Sequence, residues 1–431
     1  MASTGDGVLD ELHLCLLHRG VSAEMKAKLN PDLTRGLVIV ETHPVQYHAP
    51  VWRAAAKLGV PLKVVYGGDF SVRGYRDREF GASFRWEADL LAGYLSQVLQ
   101  PEADGYDAVT ASGLENALDQ INPAAVLALG YHHPLDRAAI RWALKRNVSL
   151  FFRGETSDAP RAARSWWRAL LRDLLLRRLY RRCTAVLYLG ENSRSHYRRL
   201  GVPEDKLVHA PYCVDTSMFE TGEQARALLR MQTRIQAGIA EDAWVLLFSG
   251  KLSWRKGVDL IPQAAALLPE HLRRRLHLVF AGDGEKRAEL EVACASSAGI
   301  PAHFAGFVNQ SGLSAWYHAS DALLLPSREM ETWGLVVNDA LHHGLPVVVS
   351  EAVGCAPDLV LPGRTGEVCA ADDACELAEA LERCAAWNDG TKSVRDRCRE
   401  RVGGYMVQQA AEGLHEVWKR LHSSPGTGEI P

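Results

Sequence analysis

The stretch Ala322-Leu-Leu-Leu-Pro-Ser-Arg-Glu-Met-Glu-Thr-Trp-Gly-Leu-Val-Val-Asn-Asp-Ala-Leu-His-His-Gly-Leu-Pro-Val-Val-Val-Ser350 decides the fold. At its two ends lie short runs, Ala322–Leu325 and Pro346–Ser350, that are apolar throughout instead of alternating. Strands buried on both faces of a parallel sheet read this way. Between them a loop leads into a segment of helical period. It predicts a helix from about Gly334 to Gly344, where the glycine and Pro346 stop it. Strand, loop, helix, strand is one βαβ unit.

The same unit recurs in both directions. Further strand-like runs are Leu37–Glu41, Leu62–Tyr66, Ala125–Leu129, Val148–Phe152 and Ala185–Leu189 in the first half, with Trp244–Ser249 and His277–Ala281 in the second. The pattern restarts near Trp244, after a stretch, Thr221–Asp242, with no such run. The fold class expected is α/β, with two doubly wound Rossmann-like domains, 35–216 and 222–393, facing a cleft. An N-terminal extension (1–34), a C-terminal helical stretch (394–422) and a disordered tail (423–431) complete the reading. Ligands of such sheets bind beyond the carboxyl ends of the strands, so function is expected in the loops after Glu41, Leu129, Phe152, Ser249, Ala281 and Leu325.

Composition removes several classes. The 431 residues are 47% hydrophobic and 23% charged, with 49 Lys+Arg against 52 Asp+Glu and a net charge of −3. A nucleic-acid binder would show a basic excess. No apolar run approaches the roughly 18 residues of a membrane span. The nine cysteines are odd in number and contain no Cys-x-x-Cys pair. That argues against a disulfide framework or a cysteine zinc site and for a reducing compartment. Residues 1–34 fit neither a secretory signal nor a transit peptide, and the cytoplasm is the expected location.

Two clusters could carry chemistry. The glycine at the expected helix start near Gly334 lets a ligand approach backbone N–H groups at the end of the helix that favours anions such as phosphate. Glu331 lies just before it, and Asp339 eight residues on, roughly 12 Å away if all were helical. Two acids so spaced could hold two hydroxyl-bearing parts of one extended ligand; a solvated loop acid and a helix acid are the plain alternative. The second cluster, Ser249-Gly-Lys-Leu-Ser-Trp-Arg-Lys-Gly257, puts Lys251 and Lys256 after a strand end, where two ammonium groups could stabilise a departing diphosphate. A solvated loop explains them equally. No P-loop, Gly-x-Ser-x-Gly elbow or His-Glu-x-x-His is present.

The second half resembles the family 4 (group 1) nucleotide-sugar glycosyltransferases of GT-B fold. Five elements carry the likeness in order: Gly250-Lys-Leu-Ser-Trp-Arg-Lys-Gly257, Gly282-Asp-Gly-Glu285, Phe304-Ala-Gly-Phe-Val308, Glu331-Thr-Trp-Gly-Leu-Val-Val-Asn-Asp-Ala340 and Gly344-Leu-Pro-Val347. The resemblance implies sugar transfer from a UDP- or GDP-sugar to a hydroxyl acceptor, with retained anomeric configuration, in polysaccharide or glycoconjugate synthesis. It implies no permanently bound cofactor and no metal. Lys251 and Lys256 would contact the donor diphosphate; Thr332, Trp333, Gly334, Leu335 and Val336 would line it, the amides from Trp333 to Val336 capping it. Glu331 would hold the sugar, Asp339 the ribose, and Gly250 and the backbone of Phe307 and Val308 would complete the donor site.

Two departures stand out. Asp339 replaces the usual Glu, drawing the carboxylate back by roughly 1.5 Å, and Lys251 stands where Arg is common. No histidine follows Val148–Phe152, where many members have one; that strand runs into Arg153-Gly-Glu-Thr156 instead. The acceptor-side and catalytic histidine expected here is His133, beside Arg153 and Glu155, with His43 on the opposite wall. A glycan, a glycolipid or a small molecule would be the acceptor. Arg161–Arg182 carries eight arginines and one Asp among Trp and Leu at helical spacing, which suits either a membrane-surface helix or an ordinary domain helix with solvated arginines. Two other readings remain: an inactive nucleotide-binding scaffold of the same fold, and a sugar-nucleotide epimerase.

Overall fold

The computed structural model describes residues 35–76, 83–84, 89–158, 166–296, 299–329 and 331–423. The expected extension 1–34, the tail beyond Ser423, and Arg161 and Arg164 of the arginine-rich segment lie outside the described residues. All nine expected runs are strands, displaced by no more than one residue at either end.

The first lobe holds a parallel sheet of β1 (Leu37–Glu41), β2 (Leu62–Tyr66), β5 (Leu95–Val98), β6 (Ala125–Ala128), β7 (Ser149–Arg153), β8 (Ala185–Tyr188) and β9 (Leu207–His209), with β3 (Tyr75–Arg76) and β4 (Ser83–Phe84) forming a separate antiparallel pair. The order across the sheet is β5-β2-β1-β6-β7-β8-β9. The second lobe's sheet is built from β10 (Trp244–Ser249), β11 (Leu276–Ala281), β12 (Ala302–Gly306), β13 (Ala322–Leu325), β14 (Val347–Ser350) and β15 (Gly366–Cys369), in the order β12-β11-β10-β13-β14-β15. Every pairing within these two sheets is parallel. Central strands such as Leu37-Val-Ile-Val-Glu41 are buried at all five positions, because helices cover both faces.

Strand order fixes where ligands can go. In the first lobe the chain winds outward from β1 through β2 to β5, then returns to place β6 on the other side of β1. In the second it winds from β10 to β12 and returns with β13 beside β10. Each reversal leaves a crevice at the carboxyl ends of the two central strands.

The C-terminal stretch expected as one unit is two helices with different allegiances. Lys392–Val402 buries Val394, Cys398 and Val402 in the second lobe's core. The chain then turns through Gly403-Gly404-Tyr405-Met406, where Met406 makes a parallel bridge with Val214. Val407–Ser423 buries Ala410, Ala411, Leu414 and Val417 in the first lobe's core, beside Trp52 of the helix Ala49–Lys57. Its apolar period is an ordinary amphipathic one, and nothing in the sequence says which lobe it faces. The chain therefore crosses between lobes twice.

Candidate functional site

At the second lobe's switch point the loops after β10 and β13 meet. The Lys256 ammonium pairs with Oε2 of Glu331, which also accepts a hydrogen bond from Ser327 Oγ at 3.1 Å. Glu331 is held by its backbone as well: its carbonyl accepts from Gly354 N–H at 2.9 Å. Three residues on, Gly334 has φ +93°, with Leu325 and Val353 both 3.0 Å from where a Cβ would sit. Only glycine fits there without strain. The helix Leu335–His342 starts at that residue, so the amides of Leu335 and Val336 have no intrahelical acceptor and form an electropositive end. Lys251 is buried at 9% exposure on the neighbouring loop. That loop lies backbone to backbone with the next: a Cβ on Gly282, whose φ is +151°, would fall 1.8 Å from the Gly250 carbonyl.

Asp339 sits one turn into the helix, half-buried. Burial pushes its carboxyl up to about 7, with the Tyr317 hydroxyl, donating at 3.4 Å, pulling the other way. Trp333 is buried and donates its indole N–H to Asn338 Oδ1 at 2.8 Å. Val308 packs against the core and Phe307 is exposed. Thr332 is the exposed link between lobes: its hydroxyl donates to Glu155 Oε2 at 3.1 Å.

Glu155 also borders the first lobe's crevice, a cavity of about 400 Å³ whose walls include Glu41, His43, His48, Tyr131, Asp136 and Arg172. His43 stacks on Phe70 with ring centres 4.6 Å apart, and burial lowers its pKa, Glu41 opposing. Arg153 is buried. Its guanidinium lies 2.9 Å from His48 Nε2 and 5.0 Å above the Tyr212 ring. His48 Nδ1 in turn lies 2.6 Å from Glu41 Oε1, and Trp52 donates to Oε2 of the same carboxylate at 3.2 Å. Glu41, His48 and Arg153 thus form one buried chain. His133 caps the helix Pro134–Arg146 by accepting from Leu135 N–H, with Tyr106 edge-on to its ring at 4.8 Å. The cap occupies Nδ1 of its ring, and the crevice wall beside it is made by His132 and Asp136. Burial pushes Asp136 up to about 7.

The structure thus brings Lys256, Glu331, Thr332 and Gly334 together, and joins them to the first lobe's crevice through Glu155. Sequence reading passed over His48, Asp136 and Tyr212, and took Glu41 only as a strand end. A signal existed for Glu41: a carboxylate ending a fully apolar strand has to find partners. Among the described residues no three His, Cys, Asp or Glu side chains are grouped to hold a metal ion.

Residues 230–401 match the family described as glycosyl transferases group 1. The chain is 32% identical over 206 residues to the D-inositol 3-phosphate glycosyltransferase of Kribbella flavida, covering 46% of this chain and 45% of that protein. It is 32% identical over 217 residues to the GDP-mannose-dependent alpha-(1-6)-phosphatidylinositol monomannoside mannosyltransferase of Mycolicibacterium smegmatis, covering 48% and 54%. These matches span about half the length of the curated relatives. Among solved structures, Anabaena Alr3699/HepE in complex with UDP superposes with a TM-score of 0.67 at 16% identity, covering 89% of this chain and all of that one. Sucrose-phosphate synthase of Thermosynechococcus elongatus gives 0.63 at 18%, covering 90% and 100%. At such identities the likeness establishes the architecture: two facing α/β lobes of the GT-B kind.

Proposed function

We propose that this protein, whose residues 230–401 match the group 1 glycosyl transferases, transfers a sugar from a UDP- or GDP-sugar to an acceptor hydroxyl, with retention of anomeric configuration. The observation that carries the reading is the Lys256–Glu331 pair, set at a topological switch point immediately before an open helix start. An incoming diphosphate accepts from the amides at Leu335 and Val336 and draws Lys256 off Glu331, and Lys251 adds a second ammonium. Charge accumulating on the departing diphosphate meets fixed positive groups, which lowers the barrier to breaking the anomeric bond. Glu331, released from Lys256, turns to the donor sugar's hydroxyls. Asp339 accepts from the ribose. The reading includes no metal ion and no permanent cofactor, since these groups supply the countercharge.

The acceptor enters the 400 Å³ crevice of the first lobe, with Glu155 at the junction of the two sites. We place the enzyme in the cytoplasm and in polysaccharide or glycoconjugate synthesis, within family 4. The relatives named above make inositol phosphates and phosphatidylinositol-linked sugars the first acceptors to try. The test is a thermal-shift screen of UDP- and GDP-sugars, followed by transfer assays with the product anomer read by NMR. One donor is expected to raise the apparent melting temperature above the rest, and its product to keep the donor's anomeric form. Nucleotide binding with no turnover of any donor would make the protein a binding subunit instead, and an inverted product would overturn retention.

A further inference from the structure

The helix Trp166–Arg182 turns a large apolar surface to solvent. Trp166, Trp167, Leu170, Leu171, Leu174 and Leu175 are each between 50% and 78% exposed. At 100° per residue they share one arc of about 180°. Opposite that arc lie Ala169, Asp173, Leu176 and Tyr180, all buried against the first lobe. The leucines are therefore not the core side of this helix. Further along, the outward arc is taken over by Arg177, Arg178, Arg181 and Arg182, all exposed. The helix's one acid, Asp173, points inward onto Arg199, with Oδ1 3.0 Å from its Nη2. It does not offset the outward charge.

We propose that this face docks the protein on the surface of an anionic lipid bilayer. Indoles and leucines over two and a half turns suit the boundary between headgroups and acyl chains, and four arginines beyond them suit lipid phosphates. A second copy of the chain fits worse in either orientation. Laid parallel, it sets arginines against arginines; laid antiparallel, it sets them against the Trp–Leu stretch. No helix among the described residues is long and apolar enough to cross a membrane, so the contact is along the surface. From the inward side of the same helix, Arg172 donates to the Tyr131 hydroxyl at 3.2 Å and borders the acceptor crevice. Docking sets that crevice about one helix diameter, roughly 10–12 Å, from the headgroup layer. A lipid-anchored acceptor then meets the site without leaving the bilayer. That last step rests on the transfer reading; the docking itself does not.

The experiment is co-sedimentation of the full chain with vesicles of phosphatidylcholine alone and of an equal mixture with phosphatidylglycerol. Binding to the mixed vesicles is expected, weakened about tenfold or more by neutral lipid or high salt. Two double variants, Leu170→Ser with Leu174→Ser and Arg178→Glu with Arg182→Glu, are each expected to lose about tenfold or more in binding. Their circular dichroism and donor-induced thermal shift should stay as in the wild type, since all four side chains are exposed. No vesicle binding, or binding by both variants as tight as the wild type's, would overturn the proposal. So would reversible dimerisation abolished by the leucine pair, which would make the face a contact between copies. Vesicle binding by a protein that turns over no donor would sink the transfer reading and leave docking standing.

Discussion

The carboxylate of Asp358, in the second lobe, accepts the backbone N–H of Glu191, in the first, through both oxygens at 2.9 and 3.1 Å. Glu191 is the first residue of the helix Glu191–Arg199. An acid from one lobe therefore sits at the positive end of a helix in the other. Tyr405, in the turn where the chain crosses back, donates to Oδ1 of the same carboxylate at 2.9 Å.

Asp358 thus ties the two lobes together. Replacing it by Ala is expected to lower stability by about 1–2 kcal/mol, from a lost cap and a tyrosine hydroxyl left without its acceptor. Small-angle scattering should show a larger radius of gyration, and the donor KM should rise. An unchanged radius with unchanged KM would show that the lobes stay shut by other contacts.

Lys256→Ala is expected to reduce kcat by about 100-fold or more, the range for removing one group that stabilises developing charge. The Glu331 carboxylate stays, and so does the fold. The check is steady-state transfer together with UDP and GDP binding by calorimetry. Near-normal turnover would remove Lys256 from the leaving-group site.

Asp339 gives a pH signature. Burial holds its carboxyl at about 7, so at neutral pH it is divided between acid and carboxylate. The carboxylate is the better acceptor for ribose hydroxyls. The donor KM should therefore fall as pH rises through about 7 in the wild type and stay flat there in Asp339→Asn. Equal slopes in the two proteins would exclude Asp339 from ribose contact.

His342 contributes to sensitivity to acid. It is buried, its Nε2 has no hydrogen-bond partner among the described residues, and burial lowers its pKa from 6.5 to about 4. A depressed histidine adds stability that is present above the unfolded value of 6.5 and is lost as pH falls toward 4. The loss is about 2 kcal/mol at pH 5. In urea titrations, His342→Leu should gain on the wild type by about that amount between pH 7.5 and pH 5. A constant difference across that range would show that His342 is not what destabilises the protein in acid.

How much could be read from the sequence depended on where each strand lies. Interior strands such as Val347-Val-Val-Ser350, buried on both faces, announce themselves as apolar runs. Edge strands do not: Leu95-Ser-Gln-Val98 and Ala302-His-Phe-Ala-Gly306 are half-buried throughout, so polar and small residues are tolerated and no run appears. The second lobe's cluster was legible because its groups lie within short motifs on two adjoining loops. In the first lobe His43, Arg153 and Glu155 were named but their linkage was not legible, since Glu41, His48 and Arg153 come from distant segments and only the sheet order makes them neighbours. His133 was read for its position beside Pro134; in the structure its Nδ1 accepts from Leu135 N–H.

The return of Val407–Ser423 to the first lobe has a mechanical consequence. A pair of bodies tied by one strand of backbone can swing, twist and slide. Tied by two strands that run side by side, Val214 bridged to Met406, they share one double-stranded hinge. Rotation about a single axis remains easy, while torsion and shear are resisted. Removing the last helix would free the second strand of that hinge and bare the apolar surface it covers.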